Sequence, residues 1–368
     1  MNQIYKILEQ LVQIKSYSGQ EKELADFIMA FCQKNNLPVE NQDGNIIIKY
    51  LVNSQKCLIF NAHLDTVKEE YISAWIYPPF GKKAGVIKDG KLYGLGASDD
   101  KASIAVFLFL ALEFIKNPSS IDIFFAFVTK EEIDGLGSQS FVSYFKKNYA
   151  KSYKDVSAVI GEPTNCDKIE IGHRGNAFIK ITTLGQSGHA SRPNEIKKHS
   201  IEEMVKVISK IKNLEKKIKI EYTDGILGQP SFCLTGIHTN QTSVNKIPES
   251  CFSTWDIRTT PNLDKRLISI LKKELSNAAK IEFIEKPVSC GLTSPKEKIV
   301  KVMEKIIPNL EFTVSPGSND ISFFMQAGIP AITFGPGNKE VIHQENEYVE
   351  LINIQKALNV YSNLIINY

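Results

Sequence analysis

Histidine and carboxylate side chains recur at the ends of short apolar segments in this chain. The residues that could do chemistry are His63, Asp65, Asp99, Asp100, Glu131, Glu132, Glu162 and His343. Carboxylates gathered in one cleft raise each other's pKa values and destabilise the fold unless a counter-ion lies among them. Imidazole and carboxylate ligands without thiolates suit zinc, with cobalt or manganese as workable substitutes. If the fold brings these residues together, they predict a site for two divalent metal ions.

The turn of residues 93–101, which reads Tyr-Gly-Leu-Gly-Ala-Ser-Asp-Asp-Lys, presents two adjacent carboxylates. Capping is the commonest task of serine and aspartate before an apolar helix, and Ser98 or Asp99 could cap the helix that follows. Two metal ions about 3.5 to 4 Å apart also need a carboxylate that bridges them. We therefore predict Asp99 as the bridge and Ser98 as the helix cap, and we expect Asp100 to turn away.

The other positions each have a plainer interpretation. A histidine at a strand end, such as His63, is more often structural than a ligand. Adjacent glutamates such as Glu131 and Glu132 usually form a solvated face. His63 and Asp65 alternate with Leu64, so in extended backbone they point to the same side. Spacing alone leaves both interpretations open.

Apolar segments of strand length alternate with helical patterns in the first half of the chain. The predicted strands are 45–52, 56–61, 121–128 and 156–160. The predicted helices are 4–14, 102–115, 138–145 and one that begins at a capping box of Ser18 and Glu21. Strand after strand ends in a histidine or an acid, which is typical of an α/β sheet with ligands at the carboxyl ends of its strands. The candidate residues are therefore predicted to meet at one edge of the sheet.

A different order of elements occupies residues 176–287. Strands at 177–184, 231–238, 251–259 and 280–285, with helices at 200–214 and 263–279, follow the order β-α-β-β-α-β. This order matches a ferredoxin-like four-stranded antiparallel sheet with both helices on one face. The α/β pattern then returns, with helices at 295–307, 321–327 and from 351, a loop at 316–320 and a strand at 331–334. We therefore predict an α/β domain formed by residues 1–175 and 288–368, and an inserted α+β domain.

Composition limits the class of protein. The chain has 368 residues, 43% of them hydrophobic, and a formal net charge of +3, which suggests an ordinary globular protein of two domains and implies no nucleic-acid partner. No apolar run approaches the roughly 20 residues of a membrane span, and the first residues lack a signal-peptide core, so we expect a cytoplasmic protein. The six cysteines include no Cys-x-x-Cys pair, which argues against a disulfide framework or a thiolate zinc site.

The chain resembles a family of co-catalytic zinc metallopeptidases and deacylases. That family includes acetylornithine deacetylase, succinyl-diaminopimelate desuccinylase, aminoacylase and carboxypeptidase G. The resemblance covers nearly the full length and depends on seven motifs in order: His63-Leu64-Asp65, Gly94 to Lys101, Glu131-Glu132, Gly161-Glu162-Pro163, Gly188-His189-Ala190, Asp256-Ile257-Arg258 and His343. It implies a mixed-sheet, zinc-peptidase-like catalytic domain, with the insert as a lid and dimerisation domain.

The resemblance also implies a role for each candidate residue of the catalytic domain. The metal ligands that it implies are His63 and Glu162 for one ion, Glu132 and His343 for the other, and Asp99 as the bridge. Glu131 would be the general base that takes a proton from the metal-bound water and returns it to the leaving amine. Asp65 would fix the imidazole tautomer of His63, as metal-bound histidines generally require.

In the insert, the resemblance implies contacts with the substrate. His189 would reach the active site of the partner subunit in a homodimer and stabilise the developing oxyanion. Arg258 would bind the substrate carboxylate with its two-pronged guanidinium, and Asn245 would assist it. An exposed loop histidine and a surface arginine are the plainer interpretations of His189 and Arg258. The remaining histidines match no ligand position and are expected to be structural or exposed: His173, His199 and His238.

This chain departs from the pattern of the family at three positions. Leu95 stands where the family often has arginine between the two glycines, Asp100 where many members have methionine, and Lys130 where an acid often precedes the two glutamates. Because Asp100 adjoins Asp99, its presence bears on which carboxylate faces the metals. None of the three departures removes a proposed ligand.

The predicted function is hydrolysis of the amide bond of a small N-acyl amino acid, most like acetylornithine deacetylase or succinyl-diaminopimelate desuccinylase. Water would attack the acyl carbonyl, and a carboxylate and a free amino acid would leave. A carboxypeptidase or a di- or tripeptidase of the same family would use the same chemistry on a peptide bond. A non-catalytic dimeric binding protein is the third hypothesis, and the intact Glu131 argues against it. The acyl group, the preferred side chain and the native metal depend on pocket shape, which the sequence leaves open.

Overall fold

The structure is a computed structural model of the chain, and it describes residues 2–241, 243–315 and 317–368. Two compact units are present. One comprises Met1–Gly172, Leu292–Thr313 and Asn319–Tyr368, and the other comprises His173–Gly291 and Val314–Ser318. The predicted loop 316–320 includes Pro316, which lies outside the described residues.

Helices form at the positions that the apolar periodicity predicts. The helices of the described residues are α1 (Asn2–Gln13), α2 (Lys22–Lys34), α3 (Lys101–Lys116), α4 (Leu136–Asn148), α5 (Ser200–Glu221), α6 (Pro261–Asp264), α7 (Leu267–Leu275), α8 (Lys298–Ile306), α9 (Ile321–Gln326) and α10 (Leu351–Asn367). The single helix predicted over 263–279 is wrong in its bounds, because the backbone breaks between α6 and α7. Leu263, Leu267 and Leu271 nevertheless keep one buried stripe across the break.

Strands are more numerous than the sequence pattern predicts. The strands of the described residues are β1 (Val39–Gln42), β2 (Asn45–Tyr50), β3 (Lys56–His63), β4 (Val86–Lys88), β5 (Lys91–Tyr93), β6 (Asp122–Val128), β7 (Asp155–Ile160), β8 (Lys168–His173), β9 (Gly175–Leu184), β10 (Gly188–His189), β11 (Ser231–Thr239), β12 (Lys246–Ile247), β13 (Ser250–Thr259), β14 (Lys280–Phe283), β15 (Gly291–Leu292), β16 (Glu311–Ser315), β17 (Ala331–Thr333) and β18 (Tyr348–Glu350). The strands that the sequence pattern does not predict are mostly short. They contain too few residues for an alternation of apolar and polar side chains to be recognised.

One sheet has nine strands and is mixed. Its order is β1-β2-β6-β3-β7-β17-β8-β15, with β16 beside β8. Strand β3 lies between β6 and β7 and runs parallel to both, and β17 runs parallel to β7. The neighbours β1 and β2 are antiparallel, and so are β2 and β6. The predicted α/β fold with a mixed sheet is confirmed.

Both faces of the central strands are buried, as their nearly continuous apolar sequences predict. Successive residues of β3 enter opposite apolar clusters, with Phe60 in one and Ile59 in the other. The ring of Phe60 lies 5.2 Å from that of Phe107 on α3, whereas Ile59 belongs to the cluster of Phe141 on α4. Full burial of each such side chain contributes about 1.5 to 3 kcal/mol. The resulting layers hold the strand ends in fixed positions.

The second unit contains a four-stranded antiparallel sheet in the order β11-β13-β9-β14. Strand β13 alternates strictly between buried and half-buried residues, and its buried face includes Trp255 and Ile257. These side chains share one apolar cluster with Ile211 of α5 and Leu271 of α7, so both helices cover the same face. The β-α-β-β-α-β order predicted for residues 176–287 matches this arrangement.

Two predicted helix caps are wrong. Helix α3 begins at Lys101 without a side-chain cap, because the hydroxyl of Ser98 donates to the backbone oxygen of Tyr348 (2.6 Å). Helix α2 also lacks its predicted capping box. Ser18 Oγ donates instead to Asp65 Oδ2 (2.8 Å), and Glu21 accepts a hydrogen bond from the backbone N–H of Gly19. In both cases a contact formed by the folded chain replaces the local one.

Candidate metal centre

The carboxyl ends of three neighbouring parallel strands lie at one level of the sheet. His63, the last residue of β3, is paired with Val128 at the end of β6, and Asn61 is paired with Ile160 at the end of β7. The loop with the two adjacent glutamates follows β6, and the loop with Glu162 follows β7. The topology therefore delivers imidazole and carboxylate groups to the same edge.

Asp99 lies between the two candidate histidines. Its Oδ1 is 2.9 Å from Nε2 of His63, and its Oδ2 is 3.4 Å from Nε2 of His343. Each imidazole also faces a glutamate, since His63 Nε2 is 3.5 Å from Glu162 Oε1 and His343 Nε2 is 2.9 Å from Glu132 Oε1. The site is thus two half-sites that share one carboxylate, with a separate oxygen for each.

The donor set of this site fits divalent metal ions. Ligand atoms within 4.8 Å of one another occur in two groups, His63 with Asp99 and Glu132, and His63 with Glu131 and Glu162. All of these donors are nitrogen or oxygen atoms, which suits zinc and its first-row neighbours rather than a thiolate-selective ion. Glu131, predicted as a base, also lies among the ligand atoms.

Asp65 fixes both the imidazole of His63 and the turn of the adjacent glutamates. Its Oδ1 accepts the backbone N–H of Glu131 (3.0 Å), and its Oδ2 accepts that of Glu132 (3.1 Å). Nδ1 of His63 lies 2.9 Å from the backbone oxygen of Asp65 and 3.5 Å from its Oδ1. Both partners are acceptors, so Nδ1 carries a proton in the neutral and in the charged ring, and loss of the second proton leaves the lone pair of Nε2 directed towards the site. A metal ligand needs this tautomer.

Burial sets the charge state of the glutamates in the metal-free site. It raises the pKa of Glu131 and that of Glu162 well above the ordinary range, and the neighbouring carboxylates reinforce the shift. Burial also raises the pKa of Glu132, although its contact with a histidine opposes the effect. A metal ion that binds these carboxyl groups must therefore compete with protons.

The two histidines are shifted towards their charged forms. Burial alone lowers the pKa of His63, but hydrogen bonds to Asp65 and Asp99 outweigh it, so the pKa lies well above its ordinary value. Contacts of His343 with Asp99 and Glu132 raise its pKa to about 10. In the metal-free protein, protonated imidazoles thus supply part of the positive charge that the carboxylates require.

These shifts predict how the stability of the metal-free protein depends on pH. A carboxyl group whose pKa is raised on folding, such as Glu131 above its ordinary 4.5, binds more protons in the folded state, so the free energy of unfolding falls as pH rises. The stabilising contribution of His343 is complete below 6.5 and is lost as pH approaches about 10. The pKa of Asp65 is lowered on folding, so this group changes the stability only below its ordinary value of 3.8. Lys101, whose pKa burial lowers to about 7, acts in the opposite direction, but it is outnumbered by the groups with raised pKa values, which include Glu347 at about 8. We therefore expect the melting temperature of chelated protein to fall between about pH 6 and pH 8.

Added zinc should raise the melting temperature more at the upper end of this pH range, because fewer protons compete for the ligands there. Thermal unfolding of chelated and zinc-loaded samples, followed by circular dichroism, measures both trends. A zinc-induced gain that is the same at both ends of the range would contradict the assignment of these residues as ligands.

The sequence prediction missed a buried aspartate beside the site. Asp320, which precedes α9, accepts hydrogen bonds on Oδ2 from Asn61 Nδ2 (3.1 Å) and Ser138 Oγ (2.5 Å). Burial raises its pKa to about 6. Its charge also contributes to the raised pKa of Glu131. The run Ser318-Asn319-Asp320 before a helix could have indicated a buried aspartate at this position. However, the same residue types are common in ordinary turns, so the run alone did not indicate it.

Glu347 and Lys101 were also missed. Glu347 is 1% exposed, and its carboxylate accepts three backbone N–H groups of the turn that carries Asp99. Burial raises the pKa of Glu347 to about 8, while the three N–H groups oppose the shift. Lys101 is 2% exposed, its ammonium donates to the backbone oxygen of Ile14 (2.8 Å), and burial lowers its pKa to about 7.

Among the described residues, the carboxyl group of Asp100 forms no ion pair with His63 or His343, whereas that of Asp99 lies close to both. Its carboxyl group is buried beside Gly161, where an added Cβ would lie 2.8 Å from Asp100 Oδ2. The side chain of Ser103 also lines this position, 2.6 Å from the same Cβ. Glycine at 161 therefore leaves room for the second aspartate, and Asp99 alone of the pair faces both imidazoles.

The predicted substrate residues of the second unit lie on its short strands and on β13. His189 pairs with Lys246 between β10 and β12, and its Nδ1 accepts the backbone N–H of Ser191 (3.2 Å). The backbone oxygen of Asn245 accepts the N–H of Ala190, and its side-chain oxygen accepts the hydroxyl of Ser243. The roles of these residues stay predictions.

Arg258 makes two contacts with Asp256 on the same face of β13. Its Nε lies 2.8 Å from Asp256 Oδ1, and its Nη2 donates to Oδ2 at 3.0 Å. Because arginine has five N–H donors, three remain for another partner. The predicted role of Arg258 towards a substrate carboxylate is compatible with this pairing and stays a prediction.

An aspartate shared between two imidazoles, with half-buried glutamates at the end of a mixed α/β sheet, is typical of a metal-dependent hydrolase. The chain belongs to peptidase family M20/M25/M40, which matches residues 59–367. This confirms the resemblance and the prediction of a metal-dependent hydrolase of amide bonds.

Relatives of similar length carry the name succinyl-diaminopimelate desuccinylase. The protein of Pelagibacter ubique (strain HTCC1062) is 30% identical over 362 residues, which cover 93% of this chain and 89% of that protein. The protein of Orientia tsutsugamushi (strain Boryong) is 30% identical over 386 residues, which cover 98% of this chain and 95% of that protein.

Solved structures share the fold over the whole chain. The M20 family metallo-carboxypeptidase Sso-CP2 of Sulfolobus solfataricus has a TM-score of 0.77 at 21% identity, with 100% of this chain and 99% of that chain covered. Aminopeptidase PepT of Bacillus cereus ATCC 10987 has a TM-score of 0.78 at 18% identity, with 99% and 97% covered. Within the described residues, no helix is long and apolar enough to cross a membrane.

Proposed function

We propose that this chain removes the acyl group from an N-succinyl amino acid of the diaminopimelate type. The observation that carries this proposal is Asp99, whose two oxygens face two separate imidazoles, each of which also faces a half-buried glutamate. Full-length relatives named succinyl-diaminopimelate desuccinylase support the choice of substrate. Such an enzyme would serve amino-acid biosynthesis.

Two divalent ions, most readily zinc, with cobalt or manganese as alternatives, would occupy the site. We assign His63 and Glu162 to one ion, Glu132 and His343 to the other, and Asp99 to both. When bound, such a pair supplies Lewis-acid activation of the acyl carbonyl and of the attacking water. The remaining steps belong to side chains of this protein.

Glu131 would move the proton. Its backbone N–H is held by Asp65, and its carboxylate lies among the ligand atoms of the site, within reach of a water bound there. It would take a proton from the water as the oxygen bonds to the acyl carbon. It would then return this proton to the amide nitrogen as the C–N bond breaks. The products are succinate and the free amino group.

His189 would donate a hydrogen bond to the oxyanion that forms on the acyl oxygen. Because Nδ1 accepts the N–H of Ser191, the proton of the neutral ring lies on Nε2. Nε2 is therefore a donor, as an oxyanion requires. Arg258 would bind a carboxylate of the substrate with the donors that Asp256 leaves unused, and Asn245 would assist it.

A peptidase of the same family is the second candidate. Sso-CP2 is described as a metallo-carboxypeptidase and PepT as an aminopeptidase, and both share the fold of this chain. The same proton transfers would cleave a peptide bond, so the difference lies in the pocket that binds the acyl side. A homodimer formed through the second unit, His189 acting on the partner subunit, and a cytoplasmic location stay predictions.

A substrate panel tests the proposal. We expect zinc-loaded protein to hydrolyse N-succinyl-L,L-diaminopimelate with a kcat/KM at least about 100-fold above those for N-acetylornithine and dipeptides. The reason is that a site that binds the terminal carboxylate of the succinyl group rejects analogues that lack this carboxylate. Release of the free amine can be followed directly for each compound. Chelated protein sets the background. A dipeptide or tripeptide cleaved faster than the succinyl compound would favour the peptidase instead.

A further inference from the structure

Glu347 is a buried carboxylate that takes no part in the proton transfers. Its Oε1 accepts the backbone N–H groups of Ser98 (2.8 Å) and Asp99 (3.0 Å), and its Oε2 accepts that of Gly96 (2.8 Å). All three donors belong to the turn that presents Asp99. A single side chain, which is not itself part of the turn, therefore fixes the backbone of the turn through three hydrogen bonds.

The same carboxylate is joined by a short loop to the second imidazole. His343 lies four residues before Glu347, and the next residue, Tyr348, begins β18. Strand β18 pairs with β5, which leads into the Asp99 turn. Ser98 Oγ also donates to the backbone oxygen of Tyr348. Glu347 thus connects the loop of one candidate ligand to the turn of the other.

The hydrogen bonds at Glu347 require an acceptor at both side-chain oxygens. Backbone N–H groups only donate, and the carboxylate offers two accepting oxygens. A glutamine amide has the same shape, but its nitrogen donates and cannot accept. At position 347 this nitrogen would face either Gly96 N–H or the N–H pair of Ser98 and Asp99. A buried donor would then lose its partner, which is costly.

We propose that Glu347 is a positioning residue, which holds Asp99 and His343 at the spacing needed for a shared metal ion before the ion binds. The inference rests on the proposed function only in requiring that the site takes metal ions. The half-site of His343 and Glu132 depends most on Glu347, because Asp99 Oδ2 faces it. The half-site of His63 is carried by the end of β3 and is affected less.

Metal affinity tests this role without reference to turnover. We expect Glu347→Gln to bind one of two zinc ions about 10- to 100-fold more weakly than wild type, as a lost partner of a ligand generally does. Glu340→Gln, an exposed carboxylate in the same segment, is the matched control and should keep both affinities. Titration calorimetry with zinc alone measures both ions. If Glu347→Gln bound both zinc ions with unchanged affinity, the proposal would be overturned. If the wild-type protein failed to bind two zinc ions, the proposed function would be contradicted instead.

Hydrogen exchange on the wild-type protein gives a second test, which does not depend on how the variant folds. If Glu347 holds the turn in advance, the amides of Gly96, Ser98 and Asp99 should be protected in chelated protein. Zinc should add little to that protection. Exchange of these amides at the rate of an open loop until zinc is added would show that the metal, and not Glu347, orders the turn, and would overturn the proposal.

Discussion

Replacing Asp99 by asparagine is expected to abolish the pair of bound metal ions and to lower kcat/KM at least about 1000-fold. One oxygen of Asp99 faces His63 and the other faces His343. The asparagine nitrogen cannot bind a metal, so at least one half-site loses a ligand and the bridge is lost. The rate change corresponds to about 4 kcal/mol, which is the range of several kcal/mol that a metal ion supplies to charge development. Elemental analysis after dialysis and assay at saturating zinc measure the two effects.

Asp100→Asn is the matched control for this variant. It makes the same change one residue later in the same turn, at a carboxyl group that is buried beside Gly161 and, among the described residues, forms no ion pair with either imidazole. We expect it to retain two zinc ions per chain. If Asp100→Asn lost the ions and Asp99→Asn kept them, the assignment of the bridge would be reversed.

Glu131→Gln should separate proton transfer from metal binding. The amide keeps the size of the side chain and the backbone contact with Asp65, but it cannot take a proton from water. We expect kcat to fall by about 100-fold or more, as general-base losses do, with two zinc ions still bound. KM should change little because the ground-state contacts remain.

Asp134→Asn provides the comparison in the same loop, since Asp134 is exposed and its Oδ1 accepts the N–H of Leu136, which asparagine can also do. Its kcat should equal that of wild type. Loss of zinc from Glu131→Gln would show instead that Glu131 is a ligand, an outcome that its place in one of the two ligand groups makes worth measuring.

The convergence of the ligands follows from features that a sequence displays openly. The strand that ends at His63 is almost wholly apolar, and so are the strands before Glu131 and before Glu162. Parallel strands buried on both faces must place their carboxyl ends along one edge, so residues distant in sequence become neighbours. His343 follows no such strand directly. It was included because it lies between the last predicted strand and the last predicted helix, and its pairing with Glu132 on one ion came from the family resemblance.

The supporting carboxylates could not be found in this way. Glu347 and Asp320 are buried because several donors surround them only in the folded chain, and neither lies at the end of a predicted strand. The misassigned caps have the same origin. Glu21 and Ser18 form a local capping pattern, yet the folded chain offers Glu21 the N–H of Lys130 and offers Ser18 the carboxylate of Asp65. Local pattern predicts the elements, and tertiary contacts decide the partners of polar side chains.

The candidate ligands of the metal centre come from both sides of the inserted segment. His63, Asp99 and Glu162 are synthesised before His173–Gly291, and His343 is synthesised after it. A nascent chain therefore lacks one of the two imidazoles until translation has passed His343. A chain that ends within the insert would therefore carry an incomplete donor set.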